Sequence, residues 1–199
     1  MKQILLATKN PAKIKRYKNG LLNRGIKLLT LDDIKVNLEI QEDGQDALEN
    51  ALIKARNYYQ ETGITVMAID DNLFLENVPM EKQPGSFVRR VNKKRLSDLE
   101  MLEYYINLVK EYGTDGKLNA YWLYGLALIK DGLEFTYTWK SADFYLVDIK
   151  SKKIETGYPL NSISLNEKLG KYFTDLTESD KLLIQGNDEQ VFDFIAKNV

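Results

Sequence analysis

Residues 42–72, EDGQDALENALIKARNYYQETGITVMAIDDN, restrict the possible folds more than any other stretch of the chain. Asp46 is placed as an N-cap, with Glu49 three residues on at capping-box spacing. Ala47, Leu48, Ala51, Leu52, Ala55 and Tyr58 or Tyr59 recur at helical spacing, which predicts an amphipathic helix with one apolar face. Asn50 and Lys54 are four apart and are expected to point together, away from that face. Gly63 is suited to the left-handed conformation that closes a helix. The apolar, β-branched run Ile64–Ile69 then reads as a strand covered on both faces.

That strand runs into Asp70-Asp71-Asn72. In open α/β sheets, ligands bind beyond the carboxyl ends of the strands. Two neighbouring carboxylates are costly to bury unpaired, and a divalent cation would remove the cost. The plainer alternative is a polar turn. Glu39, Gln41, Glu42 and Asp43 lie just upstream of the helix. They are read either as a solvated cluster complementing the helix dipole or as further metal ligands beside Asp70 and Asp71.

The chain contains no histidine, which excludes Ser-His-Asp and Cys-His nucleophilic machinery and imidazole-bound zinc. It contains no cysteine, so disulfides and thiolate metal sites are excluded as well, and a cytoplasmic setting is expected. Any metal must therefore be held by oxygen, which favours magnesium or manganese. Formal net charge is −1, so no general attraction to nucleic acid or membrane is expected. At 199 residues the chain makes one large domain or two small ones, and 44% hydrophobic residues suit a substantial core. No apolar run has the length of a membrane span, and Met1–Ala7 lacks the cleavage region of a signal peptide.

Lys2–Ala7 reads as a first buried strand, Thr8-Lys9-Asn10-Pro11 as a turn, and Pro11 as the first residue of a helix ending near Gly25. Strand, tight loop and helix start form an anion-binding geometry, to which Lys9 and Lys13 add charge. An ordinary βα connection with solvated lysines is the alternative. Leu28, Leu29 and Leu31 suggest a second strand, and Val36–Ile40 alternates like a short third one. Arg89, Arg90, Lys93, Lys94 and Arg95 form a basic run, read as a solvated lead into a helix or as a polyanion site. Ser97 and Glu100 make a capping box, and Gly113 ends the helix that follows. Leu118–Ile129, a hairpin turn at Asp131-Gly132, Phe135–Trp139 and Phe144–Asp148 read as an antiparallel meander. Thr177 and Asp180 are placed to cap a short helix, and a last helix is expected from about Asp188 to Lys197.

Four of these motifs, in order, resemble the inosine triphosphate pyrophosphatase family. They are Thr8, Asn10 and Lys13 after the first strand; Glu49, Asn50, Ala51, Lys54 and Ala55; Asp70-Asp71; and Pro84, Gly85, Phe87 with Arg89 or Arg90. The resemblance implies an α/β fold, with a central mixed twisted β-sheet flanked by helices. It implies a single domain over residues 1–199, made of two lobes with a cleft between them, the second lobe at roughly 75–160.

The activity it implies is magnesium-dependent hydrolysis of a nucleoside triphosphate between its α and β phosphates, manganese being an alternative metal. Asp71 would bind the metal and help deprotonate water, with Lys13 and Lys54 as its catalytic companions. Asp70 and Glu42 would complete the metal site, Glu42 replacing a glutamate whose strict register here holds Gln41. Thr8, Lys9, Asn10, Asn50 and Arg89 would contact substrate. Two family segments are altered. The Phe-Gly-Tyr-Asp-Pro segment is reduced to Gly157-Tyr158-Pro159, and the Ser-His-Arg segment is replaced by Gln185-Gly186-Asn187. This leaves Tyr158, Gln185 and Asn187 as base contacts and altered base choice as the expectation. A homodimer is implied, with no nucleic acid or membrane partner. The rival readings are a nucleotide-binding homologue that has lost turnover and a nucleic-acid-binding module using Arg89–Arg95.

Overall fold

The computed structural model describes residues 1–91, 94–184 and 188–199. In chain order the elements are β1 (Lys2–Leu6), α1 (Pro11–Leu22), β2 (Ile26–Leu29), α2 (Leu31–Ile34), α3 (Ala47–Thr62), β3 (Val66–Leu75), β4 (Arg90–Val91), β5 (Lys94–Arg95), α4 (Asp98–Tyr112), β6 (Lys117–Lys130), β7 (Leu133–Val147), β8 (Ser164–Asn166), α5 (Glu178–Leu183) and α6 (Asp188–Asn198). The main sheet has six strands in the order β2-β1-β3-β6-β7-β8, and β4-β5 form a separate ribbon. β1 pairs in parallel with both β2 and β3, whereas β7 and β8 are antiparallel. The expected mixed α/β sheet flanked by helices is what forms.

Compact packing divides the described residues into two units. The first holds residues 1–71, 124–139 and 188–199; the second holds 72–123 and 140–184. The second unit is therefore not one continuous stretch, because 124–139 packs with the first.

In the first unit, strand alternation sends side chains to two separate cores. Ile4, Leu6, Met67, Ile69, Leu126 and Leu128 meet Tyr17 and Leu21 of α1 and Phe192 and Ile195 of α6. Leu5, Val66, Ala68, Ala127 and Ile129 meet Ala51, Ala55 and Tyr58 of α3. In the second unit, α4 buries Met101, Leu102, Tyr105, Leu108 and Val109 against Leu73, Leu75, Leu118, Ala120, Phe144 and Leu146.

The caps form where short-range chemistry puts them. Asp46 Oδ1 accepts the Glu49 N–H at 2.9 Å. The Glu49 carboxylate takes the Gln45 N–H, at 2.7 Å, so the reciprocal half of the box is displaced by one residue. Gly63 closes α3 at φ +64°. Ser97 with Glu100 and Thr177 with Asp180 form complete capping boxes. Asp131 and Gly132 both have positive φ, 51° and 76°, as a two-residue hairpin turn of the primed type requires.

Three expectations are corrected. Val36–Ile40 is not a strand: α2, opened by a Thr30–Asp33 capping box, takes Leu31, and left-handed Lys35 ends it. The alternation of Val36, Leu38 and Ile40 instead packs those side chains against the α3 core. Phe135–Trp139 and Phe144–Val147 are parts of one strand, β7. The strand expected at Ile64–Ile69 is Val66–Leu75, so Asp70 and Asp71 lie inside it rather than in a loop beyond its end. Leu73, Phe74 and Leu75 continue the strand because Leu73 and Leu75 have a core of their own to enter.

Candidate active site

The expected phosphate and metal residues converge in the first unit. Asn10 N-caps α1, its Oδ1 accepting from the Ala12 N–H at 3.0 Å, and Thr8 Oγ1 accepts the Asn10 N–H at 3.2 Å. The turn at Thr8–Asn10 is thereby held at the mouth of the helix, where free N–H groups favour anions. Lys13, on the first turns of α1, donates to the Ile69 carbonyl at 3.2 Å and pairs with the Asp71 carboxylate. Lys54, on α3, lies 3.2 Å from Glu42 Oε2 and 3.7 Å from Asp70 Oδ2.

The two acids thus serve different partners. Asp71 continues the Met67–Ile69 face of β3 toward α1, and Asp70 continues the Val66–Ala68 face toward α3. Asp71 meets Lys13 of α1, and Asp70 meets Lys54 of α3. Glu42, Asp70 and Asp71 are not gathered into one carboxylate cluster; among the described residues no three acidic side chains form a metal-binding group. The donor chemistry nonetheless suits a hard divalent cation at Glu42 and Asp70. They are two carboxylates already bridged by a positive charge, the Lys54 ammonium. Burial raises the Asp70 carboxyl above its ordinary range. Lys54 and Lys13 oppose this, while the charges of Asp71 and Glu42 reinforce it.

A cavity of about 200 Å³ opens beside Lys54, lined by Thr8, Lys9 and Glu42 at its polar side and by Leu31, Leu38, Ile40 and Tyr58 at its apolar side. The segment that was expected to be a strand supplies this apolar wall. Asn50 points with Lys54 toward the 42–44 segment, where Lys54 meets Glu42 at 3.2 Å. It is 1% exposed, and its Oδ1 accepts the Gly44 N–H at 2.9 Å. Four-residue spacing gives that shared direction, and Asn50 ties the acidic segment to the helix start.

Of the remaining expected contacts, Arg89 and Tyr158 belong to the second unit. The Arg89 guanidinium pairs with Asp98 at the start of α4. Tyr158 opens a 3₁₀ turn after Gly157, whose φ is +87°. Gln185 and Asn187 lie outside the described residues. Within the basic run, Arg89–Asp98 and Lys94–Glu100 are internal ion pairs, so part of its charge is neutralised by the chain itself.

Sequence reasoning missed Tyr124. It stacks on Trp139 at 4.8 Å and 9°, and the Arg16 guanidinium lies 5.8 Å from its ring centroid. Burial raises its hydroxyl pKa, Arg16 opposes that shift, and the charge of Asp71 adds to it. Its position two residues before Leu126 in an alternating strand was the available signal, since that parity faces α1.

The Ham1 family model matches residues 4–158, most of the chain and every described residue of this site. The chain belongs to the Ham1 family. Among relatives of this family member is the dITP/XTP pyrophosphatase of Bacillus licheniformis, 37% identical over 111 residues, 56% of this chain and 54% of that protein. Another is the dITP/XTP pyrophosphatase of Thermoanaerobacter sp., 28% identical over 189 residues, 90% of this chain and 87% of that protein. The stronger match therefore spans about half the relative's length, and the weaker one most of it. The solved Ham1 protein of Staphylococcus aureus superposes with a TM-score of 0.75 at 20% identity, all of both chains being covered. The Coxiella burnetii HAM1 protein gives 0.74 at 21%, over 100% of this chain and 98% of that one. These likenesses bear out the family resemblance and the fold. Among the described residues no helix is long and apolar enough to cross a membrane.

Proposed function

We propose that this Ham1-family chain is a nucleoside triphosphate pyrophosphatase that splits the α–β phosphoanhydride to give a nucleoside monophosphate and pyrophosphate. The observation that carries this reading is the pair of lysine–carboxylate contacts, Lys13–Asp71 and Glu42–Lys54–Asp70, on the two faces of one strand beside the α1 mouth. Relatives named dITP/XTP pyrophosphatases support the same class of reaction.

In this reading the phosphates lie at the Thr8–Asn10 turn, with Lys9, Lys13 and Lys54 neutralising their charge. Asp71 accepts a proton as water attacks the α-phosphorus, and the bridging oxygen leaves with pyrophosphate. Lys13 holds the Asp71 carboxylate in place. Glu42 and Asp70 would hold magnesium, or manganese, which supplies charge neutralisation and Lewis acidity when bound. Tyr158, Gln185, Asn187 and Arg89 belong to the same proposal as contacts to the rest of the nucleotide, and a homodimer as its assembly.

The test is pyrophosphate release from inosine, xanthosine and the common ribo- and deoxynucleoside triphosphates, with and without magnesium. Wild-type release that Asp71→Asn lowers about a hundredfold or more is expected. Nucleotide binding without release from any of them would replace this reading with that of a binding homologue. Release unchanged by Asp71→Asn would remove Asp71 from the mechanism.

A further inference from the structure

The segment that carries Glu42 has no backbone support of its own. Residues 37–44 lie in neither a helix nor a strand, and among the described residues no backbone-to-backbone hydrogen bond involves them. Leu38 and Ile40 pack on the α3 core. The Glu42 side chain, however, is 41% exposed and borders the cavity of about 200 Å³, so packing does not fix its carboxylate. Few backbone bonds and partial exposure are the marks of a segment that opens easily.

What holds it is one row of side chains on α3. Asn50, Lys54 and Tyr58 follow at four-residue intervals and so lie along one edge of the helix, about 6 Å apart per step. Asn50 Oδ1 accepts the Gly44 N–H at 2.9 Å. Lys54 Nζ lies 3.2 Å from Glu42 Oε2. The Tyr58 hydroxyl accepts the Leu38 N–H at 3.4 Å. The partners run 44, 42, 38 as the helix runs 50, 54, 58, so the segment lies antiparallel to α3. Asn50 and Tyr58 are both buried, and each is therefore a fixed post rather than a solvated side chain. Gly44 seats closely against the first of them: a Cβ there would stand 2.8 Å from both Asn50 N and Asn50 Oδ1.

We propose that Asn50 and Tyr58 are positioning residues: they hold segment 38–44 on α3, keep Glu42 across Lys54 from Asp70, and thereby set the divalent-metal affinity of the protein. This rests on Glu42 and Asp70 being the metal carboxylates of the hydrolase proposed above. Lys54 Nζ reaches both, Glu42 at 3.2 Å and Asp70 at 3.7 Å, so the two carboxylates converge on one point. Asp70 is fixed there by β3. Glu42 stands on a segment whose place depends on the Gly44 bond to Asn50 on one side and the Leu38 bond to Tyr58 on the other. A hard cation needs its oxygen ligands gathered, and residues that orient those ligands tune affinity without touching the ion. Asn50 in this assignment works through Glu42 and not on the phosphates.

The experiment is calorimetric titration of manganese into the nucleotide-free protein and into its Asn50→Leu, Tyr58→Phe and Glu42→Gln variants. Glu42→Gln measures the share of the carboxylate itself. Asn50→Leu should weaken manganese binding about tenfold, and Tyr58→Phe, which removes the longer bond, about threefold. Metal-free tripolyphosphate affinity should be unchanged in both. Amide hydrogen exchange should speed up at Gly44 in Asn50→Leu and at Leu38 in Tyr58→Phe, and Asn50→Asp, which keeps the acceptor oxygen, should restore protection at Gly44. In turnover the two variants should need more magnesium and regain most of kcat when it is raised. Tyr58→Phe keeps the buried ring, so the test survives if Asn50→Leu does not fold. A fall in Tm with manganese affinity retained marks both residues as structural only and overturns the proposal. Weaker tripolyphosphate binding by Asn50→Leu makes Asn50 a phosphate contact and overturns its assignment. Unchanged manganese affinity in Glu42→Gln also overturns the proposal, while the hydrolase reading stands if the wild-type protein releases pyrophosphate. Manganese losses as expected, with no pyrophosphate released from any nucleoside triphosphate by the wild-type protein, overturn the hydrolase reading and leave the positioning role in place.

Discussion

Adjacent carboxylates in a strand point to opposite faces, and in this chain that alternation decides what each of them can do. Asp71 meets Lys13 and Asp70 meets Lys54, although they are neighbours in sequence. Asp70 pays for its position, since burial is the largest influence on it and raises its pKa. A folded-state value above the unfolded one means a stability contribution that is full below the unfolded value, near 4, and is lost as pH rises through the folded value. Asp70→Asn removes this titration. The variant is expected to melt above wild type at pH 7, and the difference should shrink toward zero as the pH falls through the raised Asp70 value. Thermal melts at a series of pH values check this. A gain that grows on acidification would show that the lysines, and not burial, dominate at Asp70. The same substitution takes away one of the two proposed metal carboxylates, so greater stability should come with weaker dependence of activity on added magnesium.

At the scale of elements, the site depends on how closely α3 approaches the sheet. Gly125 in β6 makes that approach possible: a Cβ there would stand 2.4 Å from the backbone N and Cα of Leu48, in the first turn of α3. No side-chain rotation relieves a clash with backbone, so the helix itself must shift. Gly125→Ala is expected to cost about 1–3 kcal/mol of stability, measured by chemical denaturation. It should also weaken catalysis, because α3 carries Lys54 and the Asn50 clamp on the 42–44 loop. Unchanged stability and activity would show that the helix start adjusts without cost. Much at this scale was legible beforehand. The N-caps at Asp46, Ser97 and Thr177, the stop at Gly63 and the Asp131-Gly132 turn each depend on residues within a few positions of one another. The end of β3 was not legible, because polar Asp70-Asp71-Asn72 reads locally as a terminus. Only the distant core that receives Leu73 and Leu75 carries the strand onward.

For the molecule as a whole, 28 basic and 29 acidic residues give a net charge of −1. The basic run offers little free charge to set against this, since Arg89 and Lys94 are engaged by Asp98 and Glu100. The expected outcome on a heparin column is elution at or below about 0.15 M salt, where exposed charges are already screened beyond roughly 8 Å. Strong retention that falls steeply with salt, and that substitution of Arg90 and Arg95 abolishes, would restore the polyanion reading of that segment.

By itself the sequence determined the chemical repertoire and the local grammar. Without histidine or cysteine the chain has no imidazole or thiol, and carboxylates and lysines lead its site chemistry. The order of Thr8–Lys13, Glu49–Ala55 and Asp70-Asp71 was enough to mark the family. Tertiary structure decided orientation. It buried Asn50 against the 42–44 loop, made Val36–Ile40 a packed wall instead of a strand, and left the Asn72 oxygen buried without a partner. The physical reason is range. Caps and turns are hydrogen bonds between near neighbours, whereas a side chain's direction in a strand, and the helix it then faces, depend on which distant residues have cores to fill.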